Sequence, residues 1–263
     1  MARRLDDGLS QKRARSRAGR PAASGDGALA QSNARRKVER ADEPTPDARE
    51  RIFLAAERLF AERGFDGVSV RDIVQTADVN LAAVSYYFGS KSELLLAVFR
   101  SRARELNQER RTLLRDAEAR HGGAPPLAEI LRALMGPPIL WRDPASGKDT
   151  ASRFISRALA EVTPDLRKIL ESDVSHLRIF LAALTRVLRQ LSPQEVCWAL
   201  HFTTALPHQC TDTNFRRLKA LSDGGCATED VASVLDRAVR YAAGGIEAFT
   251  ATAQSGKTAK RAS

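Results

Sequence analysis

Residues 69–95 read SVRDIVQTADVNLAAVSYYFGSKSELL and contain two short helical patterns separated by a tight turn. Ser69 supplies an N-cap for a helix through about Thr76, whose apolar residues repeat at helical spacing. Asn80 caps the second helix, after the short link Ala77–Asn80. Two short helices joined in this way predict a helix-turn-helix, whose second helix enters the major groove of DNA.

The second helix is expected to turn Val84 and Phe88 toward the core, because they lie four residues apart. Its small side chains then approach base edges, where Ala82 and Ala83 can contact thymine methyl groups. Hydroxyl groups, and the Lys91 ammonium at the start of the next helix, can bind phosphates. The predicted DNA-contacting residues are Ser69, Val70, Asn80, Leu81, Ala82, Ala83, Ser85, Tyr86, Tyr87 and Lys91. We expect DNA shape, water and phosphate register to contribute as much to readout as direct base contacts.

Helical patterns surround this motif on both sides. One runs from Pro46 to about Arg63 and ends at Gly64, which can adopt the left-handed conformation of a helix cap. Another runs from Lys91 to about Arg120. Further helices are predicted over residues 125–136, 149–161, 164–191, 193–206 and 228–250. No segment from about residue 45 to 250 alternates as a strand would, so the predicted fold is all-α.

The two ends of the chain differ in composition from the middle. Residues 1–44 are basic and nearly without large apolar side chains, so they are predicted to be a disordered tail, and residues 252–263 repeat this character. The first tail can be interpreted as a loose arm on DNA phosphates or as a solvated extension. The formal net charge of +10 favours anionic partners such as nucleic acid or an acidic membrane surface.

The sequence also indicates the compartment. No apolar run is long enough to span a bilayer, and the arginine-rich start lacks the apolar core of a signal peptide. We therefore expect a cytoplasmic protein that does not bind a membrane. The chain has 3 cysteines, an odd number that argues against a disulfide framework.

The order and spacing of the motif residues resemble the signature of the TetR family of transcriptional regulators. The similarity runs without insertion from Ser69–Val74 through Ala77–Asn80 to Tyr86–Leu95, which leads into a linking helix. It implies a three-helix DNA-binding domain over residues 45–92 and a larger helical ligand-binding and dimerisation domain over residues 93–251. It also implies a homodimer on a palindromic operator in double-stranded DNA, with repression that is relieved when a small effector binds.

Two residues depart from the family pattern, and one C-terminal stretch adds to it. Asp78 stands where the family often has glycine, and Ser85 stands where it often has an aromatic residue. The stretch from Trp198 to Arg217 is similar to a subgroup of these regulators that respond to fatty-acyl or related hydrophobic effectors. The resemblance therefore implies a hydrophobic effector.

A ligand pocket is expected among the middle helices, lined by large apolar or aromatic side chains. The break expected at Pro137 and Pro138 is a candidate entrance or mobile segment. The candidate lining residues are Met135, Trp141, Phe154, Leu177, Phe180 and Phe202. Ordinary core packing also explains each of these side chains.

Cys197 and His201 lie four residues apart on one predicted helix, with His208 and Cys210 beyond, so the residue types match those that hold zinc. Their spacing matches no established zinc site, and Pro207 is expected to interrupt the helix between the pairs. A buried thiol and a hydrogen-bonded histidine are the simpler interpretation. We expect neither a metal nor a cofactor.

The known catalytic signatures are missing from the sequence. It contains no glycine-rich phosphate loop, no Gly-x-Ser-x-Gly elbow and no metalloprotease histidine pair, so an enzyme is not predicted. Two alternatives to a repressor stay open. One is a DNA-binding regulator that activates or has no effector. The other is a basic helical adaptor for acidic proteins or membranes, whose binding would not depend on Tyr86 and Lys91.

Overall fold

The computed structural model describes the backbone of residues 46–261 and the side chains of residues 47–250. Within these residues the chain forms α-helices and one short 3-10 turn, Pro144–Ser146, and no strand, which confirms the all-α prediction. The helices are α1 Pro46–Arg63, α2 Val70–Ala77, α3 Leu81–Phe88, α4 Lys91–Arg120, α5 Leu127–Leu140, α6 Asp149–Ala160, α7 Pro164–Ser172, α8 Ser175–Val187, α9 Pro193–Gln209, α10 Asp212–Leu221 and α11 Val231–Arg261. The disordered tail predicted for residues 1–44 lies outside the described part of the chain.

The predicted helix over residues 164–191 is wrong, because two helices, α7 and α8, occupy this stretch. The break lies at Asp173, whose Oδ1 accepts hydrogen bonds from the Ser175 amide at 3.2 Å and the Ser175 hydroxyl at 2.6 Å. A side chain that binds the following backbone in this way competes with the helical hydrogen bonds. Because α7 and α8 still carry apolar residues at helical spacing, periodicity alone does not reveal the break.

The structure differs from the sequence prediction at four further places. Pro137 and Pro138 do not end a helix but lie inside α5, and Pro207 lies inside α9. Helix α10 was not predicted from the sequence; Thr211 caps it by accepting a hydrogen bond from the Asn214 amide at 3.3 Å. The backbone of α11 is helical to Arg261, although a disordered tail was expected from residue 252. No proline follows the packed part of α11 to stop the helix.

The first hydrophobic core holds the N-terminal helices together. It contains Ile52, Leu59 and Phe60 of α1, with apolar residues of α2, α3 and the first turns of α4. Phe154 of α6 and Leu166 of α7 are also fully buried in this core. The N-terminal helices therefore fold against residues that are far away in the sequence.

The second core lies among the C-terminal helices. It contains Leu131 and Met135 of α5, Phe180 of α8, Leu200 of α9 and Leu235 of α11. In an uninterrupted helix the Leu134 carbonyl would accept a hydrogen bond from the backbone amide of residue 138, but Pro138 has no N–H to donate. The Leu134 carbonyl instead accepts a hydrogen bond from the Arg110 Nε of α4 at 2.8 Å. Within the described residues, no helix is both long and apolar enough to cross a bilayer.

Candidate nucleic-acid interface

Local side-chain bonds set the start of α2. The Ser69 Oγ accepts a hydrogen bond from the Asp72 amide at 3.2 Å, and the Asp72 carboxylate accepts from the Ser69 amide at 2.8 Å. These reciprocal bonds form a capping box. Hydrogen bonds from Ser69 hold the pKa of Asp72 below its ordinary value, so the carboxylate stays charged next to the positive end of the helix.

The turn between α2 and α3 begins with a residue in the left-handed conformation. Asp78 ends α2 with φ 52° and ψ 57°, in the left-handed region that favours glycine. Aspartate adopts this conformation more readily than most residues. The departure from the family pattern at position 78 therefore leaves a left-handed turn in place. Asn80 then caps α3, and its Oδ1 accepts a hydrogen bond from the Ala83 amide at 2.9 Å.

Arg51 of α1 fixes this turn from outside, a contact that sequence reasoning missed. Its Nε donates to the Ala77 carbonyl at 3.0 Å, and its Nη2 donates to the Asp78 carbonyl at 3.3 Å. Its Nη1 pairs with Asp47 at 2.5 Å. The guanidinium thus satisfies carbonyls at the C-terminal end of α2, where positive charge is favourable.

The outer face of α3 is open to solvent. Leu81 is 53% exposed and Tyr86 is 71% exposed, and Ala82 and Ser85 on the same face are also exposed. The Tyr86 ring contacts the Tyr87 ring edge-on, with the centroids 5.0 Å apart. Desolvation, with a smaller effect from Tyr86, raises the pKa of Tyr87 above its ordinary value. The Tyr87 hydroxyl therefore stays protonated at neutral pH and can donate to a phosphate.

Two predicted contacts do not have the expected geometry. Ala83 is only 7% exposed and packs in the first core beside Val84, so its methyl group does not face the outside. The Lys91 Nζ donates to the Phe65 carbonyl at 2.9 Å and the Val68 carbonyl at 2.8 Å, and it lies 4.0 Å from the centre of the Phe65 ring. Lys91 therefore ties the start of α4 to the connector between α1 and α2, with one N–H left for a phosphate.

The remaining predicted DNA contacts lie at the edges of α2 and α3. Ser69 is exposed at the N-terminal end of α2, while Val70 is half-buried and packs against the first core. Asn80 and Tyr87 are also half-buried. Among the predicted residues, Ser69, Leu81, Ala82, Ser85 and Tyr86 are thus exposed to solvent, whereas Ala83 is turned inward.

The predicted pocket residues do not gather in one place. Met135 and Phe180 are buried in the second core, and Leu177 packs against it. Trp141 is buried in a small separate cluster with Leu106. The other two candidates lie elsewhere: Phe154 belongs to the first core, and Phe202 is 54% exposed.

The four candidate zinc ligands differ in their exposure to solvent. Cys197 and His201 are exposed on α9, whereas Cys210 is buried. Burial raises the pKa of the Cys210 thiol, which keeps it protonated. Among the described residues, no group of three or more histidine, cysteine, aspartate or glutamate side chains is arranged to hold a metal ion.

Comparison with known protein families matches both halves of the chain. Residues 52–98 match the family described as "Bacterial regulatory proteins, tetR family". Residues 132–245 match "Tetracyclin repressor-like, C-terminal domain". Both descriptions are of regulatory proteins rather than enzymes, in agreement with the prediction.

Individual relatives resemble parts of the chain. It is 47% identical over 47 residues to the probable HTH-type transcriptional regulator YttP of Bacillus subtilis, covering 18% of this chain and 23% of that protein. It is 32% identical over 124 residues to the HTH-type transcriptional repressor AcnR of Corynebacterium glutamicum, covering 43% of this chain and 65% of that protein. The chain thus spans less than two thirds of the length of these curated relatives.

The fold is similar to that of a solved structure, the TetR family transcriptional regulator PfmR from Thermus thermophilus. The TM-score is 0.51 at 22% sequence identity, over 73% of this chain and 95% of that one. Such a likeness concerns the fold, and it agrees with the two family matches. The motif residues, the helical architecture and these matches together place the chain in the TetR family.

Proposed function

We propose that the protein is a sequence-specific transcriptional repressor that holds a palindromic operator as a homodimer and releases it when a small hydrophobic effector binds. The observation that carries DNA binding is the exposed face of α3, which presents Leu81, Ala82, Ser85 and Tyr86. The capping box and Arg51 hold that face in a fixed orientation. The formal net charge of +10 supports attraction to DNA phosphates.

Selection of bound sequences from random duplex DNA, at near-physiological salt, tests this proposal. The salt is needed because nonspecific phosphate binding by so basic a protein would otherwise dominate. We expect an inverted repeat to be enriched. Tyr86→Ala should weaken binding to the selected operator by about tenfold, the loss expected for one or two phosphate or base contacts.

Leu221→Ala is the matched control, since Leu221 is 84% exposed and lies at the end of α10. It should bind the operator like the unaltered chain. A basic adaptor predicts a different pattern: no enriched sequence, and DNA binding that Tyr86→Ala leaves unchanged.

The dimer is supported by two exposed stripes on helices that pack together. In α9, Cys197, Trp198, His201 and Phe202 are exposed at helical spacing, and Trp198 stacks on Phe202 with centroids 5.5 Å apart. Part of this face lines an open groove of about 480 Å³. Exposed aromatic surface of this kind marks an interaction site.

Helix α11 carries the second stripe, formed by Tyr241, Gly244, Gly245, Ala248 and Phe249. A Cβ atom added at either glycine would meet nothing within 4 Å, so this surface has room for another helix. We assign a second copy of the chain to these two stripes, because a palindromic operator requires a twofold partner and the stripes lie on adjoining helices.

Sedimentation equilibrium tests the dimer. Trp198→Glu places a charge in the centre of the α9 stripe, and the variant should sediment as a monomer and select a half-site instead of an inverted repeat. Leu221→Glu introduces the same charge at a surface position outside the stripes and should leave the dimer intact. A dimeric Trp198→Glu variant would show that the partner binds another face.

A further inference from the structure

Residues 64–69 connect α1 to α2, and side chains from two distant helices hold this connector. Glu161 comes directly after α6, and its Oε2 accepts a hydrogen bond from the Phe65 amide at 3.2 Å. Lys91, the first residue of α4, donates to the carbonyl of the same residue at 2.9 Å. Phe65 is therefore bound to the end of α6 through its N–H and to the start of α4 through its C=O.

The Glu161 carboxylate lies directly against the connector. Gly64 has φ 73°, a conformation that glycine adopts without strain, and a Cβ atom built on it would lie 2.3 Å from the Glu161 Oε2. The Gly64 amide donates to the Phe60 carbonyl at 3.0 Å and ends α1, whereas the next amide, that of Phe65, donates to Glu161. Glycine at position 64 therefore gives the Glu161 carboxylate the space to reach the connector.

Arg157 holds Glu161 from the other side. The Glu161 amide donates to the Arg157 carbonyl at 2.9 Å, and the Arg157 Nε pairs with the Glu161 Oε1 at 2.5 Å. The two carboxylate oxygens thus have different partners, Arg157 on α6 and Phe65 on the connector. Because both charged side chains are more than 40% exposed, their ion pair adds little stability. Its main effect is to orient the carboxylate.

The junction between α6 and the connector is closely packed. The Phe60 ring lies between the Phe65 and Phe154 rings, with centroids 5.9 Å and 6.4 Å away. The space beside these rings, next to Arg157 and Glu161, has a volume of only about 10 Å³, roughly that of a single water. This junction has no room for a small-molecule ligand. Its contacts serve to fix the connector relative to α6.

The connector in turn sets the direction of the Lys91 ammonium. An ammonium group has three N–H donors, and those of Lys91 bind the Phe65 carbonyl at 2.9 Å and the Val68 carbonyl at 2.8 Å. The third N–H has no acceptor among the described residues. Lys91 lies three residues after the end of α3, and this N–H is the group that can meet a DNA phosphate. Its direction depends on where the two carbonyls lie.

We propose that Glu161 is a positioning residue for DNA binding: by holding the Phe65 amide, it sets the direction in which Lys91 presents its third N–H to a DNA phosphate. This proposal rests on the proposed DNA-binding function and adds a residue from the second half of the chain to it. Glu161 does not bind DNA itself, because its charge has the same sign as that of the phosphates. Loss of this charge alone would strengthen DNA binding, so a weaker complex has to come from a change of geometry.

Two substitutions of Glu161 separate its reach from its charge. Glu161→Asp keeps the charge but shortens the side chain by one methylene group, which draws the carboxylate away from the Phe65 amide. Glu161→Gln removes the charge but keeps an oxygen that can accept from this amide. Glu171→Asp and Glu171→Gln make the same two changes at an exposed position of α7.

The probe is a mixed-sequence DNA duplex, titrated with the full-length chain at several salt concentrations. The slope of the logarithm of the binding constant against the logarithm of the salt concentration counts phosphate contacts whatever the base sequence. A variant that loses the Lys91 contact therefore differs from the unaltered chain in this slope. A variant that is only less stable does not.

Glu161→Asp should bind the duplex about tenfold more weakly, as expected for the loss of one charged hydrogen bond. The magnitude of its salt slope should fall by about 0.9, the value for one lost phosphate contact. Lys91→Met should show the same slope, and the double variant should lose no more than Lys91→Met alone. Glu161→Gln and both Glu171 variants should keep the slope of the unaltered chain.

Hydrogen exchange without DNA tests the first link, since the Phe65 amide should exchange faster in Glu161→Asp and at an unchanged rate in Glu161→Gln. Thermal unfolding checks that each variant is folded. If Lys91→Met does not fold, the comparison of Glu161→Asp with Glu161→Gln still decides the question, because charge and reach predict opposite orders of affinity.

The proposal is overturned if Glu161→Asp keeps the affinity and slope of the unaltered chain, if Glu161→Gln loses as much as Glu161→Asp, or if the losses in Glu161→Asp and Lys91→Met add up. Operator selection is scored separately. Its failure beside the expected slopes would refute the repressor proposal and leave the role of Glu161 in place. An enriched inverted repeat beside an unchanged slope in Glu161→Asp would refute the role of Glu161 alone, and a chain that binds no DNA would refute both.

Discussion

Arg51 shows how a single side chain can orient a helix that it does not belong to, here the proposed DNA-reading helix α3. Its guanidinium donates to two carbonyls at the end of α2, and these lie at the turn that sets the direction of α3. Arg51→Met should lower the free energy of unfolding by about 1 kcal/mol, because the side chain is partly exposed and water replaces some of the lost bonds. Operator affinity should fall by more than stability alone explains, since α3 loses its fixed orientation.

Urea unfolding and operator titration measure the two effects. Arg58→Met is the control, because Arg58 is an exposed arginine of the same helix. If Arg51→Met and Arg58→Met bind the operator equally, water alone satisfies the end of α2 and the turn needs no support from α1.

At the scale of residues, the sequence predicts contacts that are local. Ser69 and Asp72 lie three residues apart, and their capping box follows from that spacing. Arg51 and Asp78 are 27 residues apart, and Lys91 and Phe65 are 26 apart, so no spacing rule reveals either contact. Lys91 is predicted as a phosphate ligand from its place at a helix start, but in the fold its ammonium donates hydrogen bonds to two backbone carbonyls.

Besides their packing in the first core, α1 and α4 are joined by one ion pair. Arg102 binds both oxygens of Glu57, at 2.5 and 2.7 Å, and Glu57 is only 3% exposed. Arg102→Met would leave the Glu57 carboxylate buried without its partner, which should lower the free energy of unfolding by about 3–5 kcal/mol. The double variant Glu57→Leu/Arg102→Met removes both charges and should recover most of this loss.

A double-mutant cycle measured by urea unfolding gives the coupling between the two residues. Arg120→Met provides a comparison on the same helix, since Arg120 pairs with Glu129 and its side chain is 62% exposed. Arg120→Met should lower the free energy of unfolding by less than about 1 kcal/mol. Equal losses for Arg102→Met and Arg120→Met would mean that water reaches Glu57 when its partner is removed.

Whole helices were predicted well where one cap and one apolar stripe agree, as in α1 and α4. The prediction failed where the outcome depends on a partner outside the helix. Pro137 and Pro138 were expected to break α5, but the second core packs around it and Arg110 satisfies one of the freed carbonyls. The width of the buried face of α3, which includes Ala83, is likewise set by the helices packed around it.

On the scale of the molecule, the packing of the N-terminal helices depends on the second half of the chain. Phe154 contacts Phe60, with the ring centroids 6.4 Å apart, and completes the first core from α6. A polar chain also joins the halves: Arg102 binds Glu105, and Lys148 binds Glu105 and Glu109. A change in the ion pairs of Lys148 can therefore affect α1 through the contacts of Arg102 with Glu105 and Glu57.

Phe154→Ala and Phe180→Ala compare the two cores, because both side chains are fully buried, one in each core. Each variant should lose about 3–5 kcal/mol of unfolding free energy. Native-state hydrogen exchange should distinguish them, since Phe154→Ala removes a neighbour of Phe60 and should speed exchange of the α1 amides more than Phe180→Ala does. Equal acceleration in α1 would mean that the two cores open as one unit, and an effector in the second half would then act on DNA binding through global stability instead of through α6.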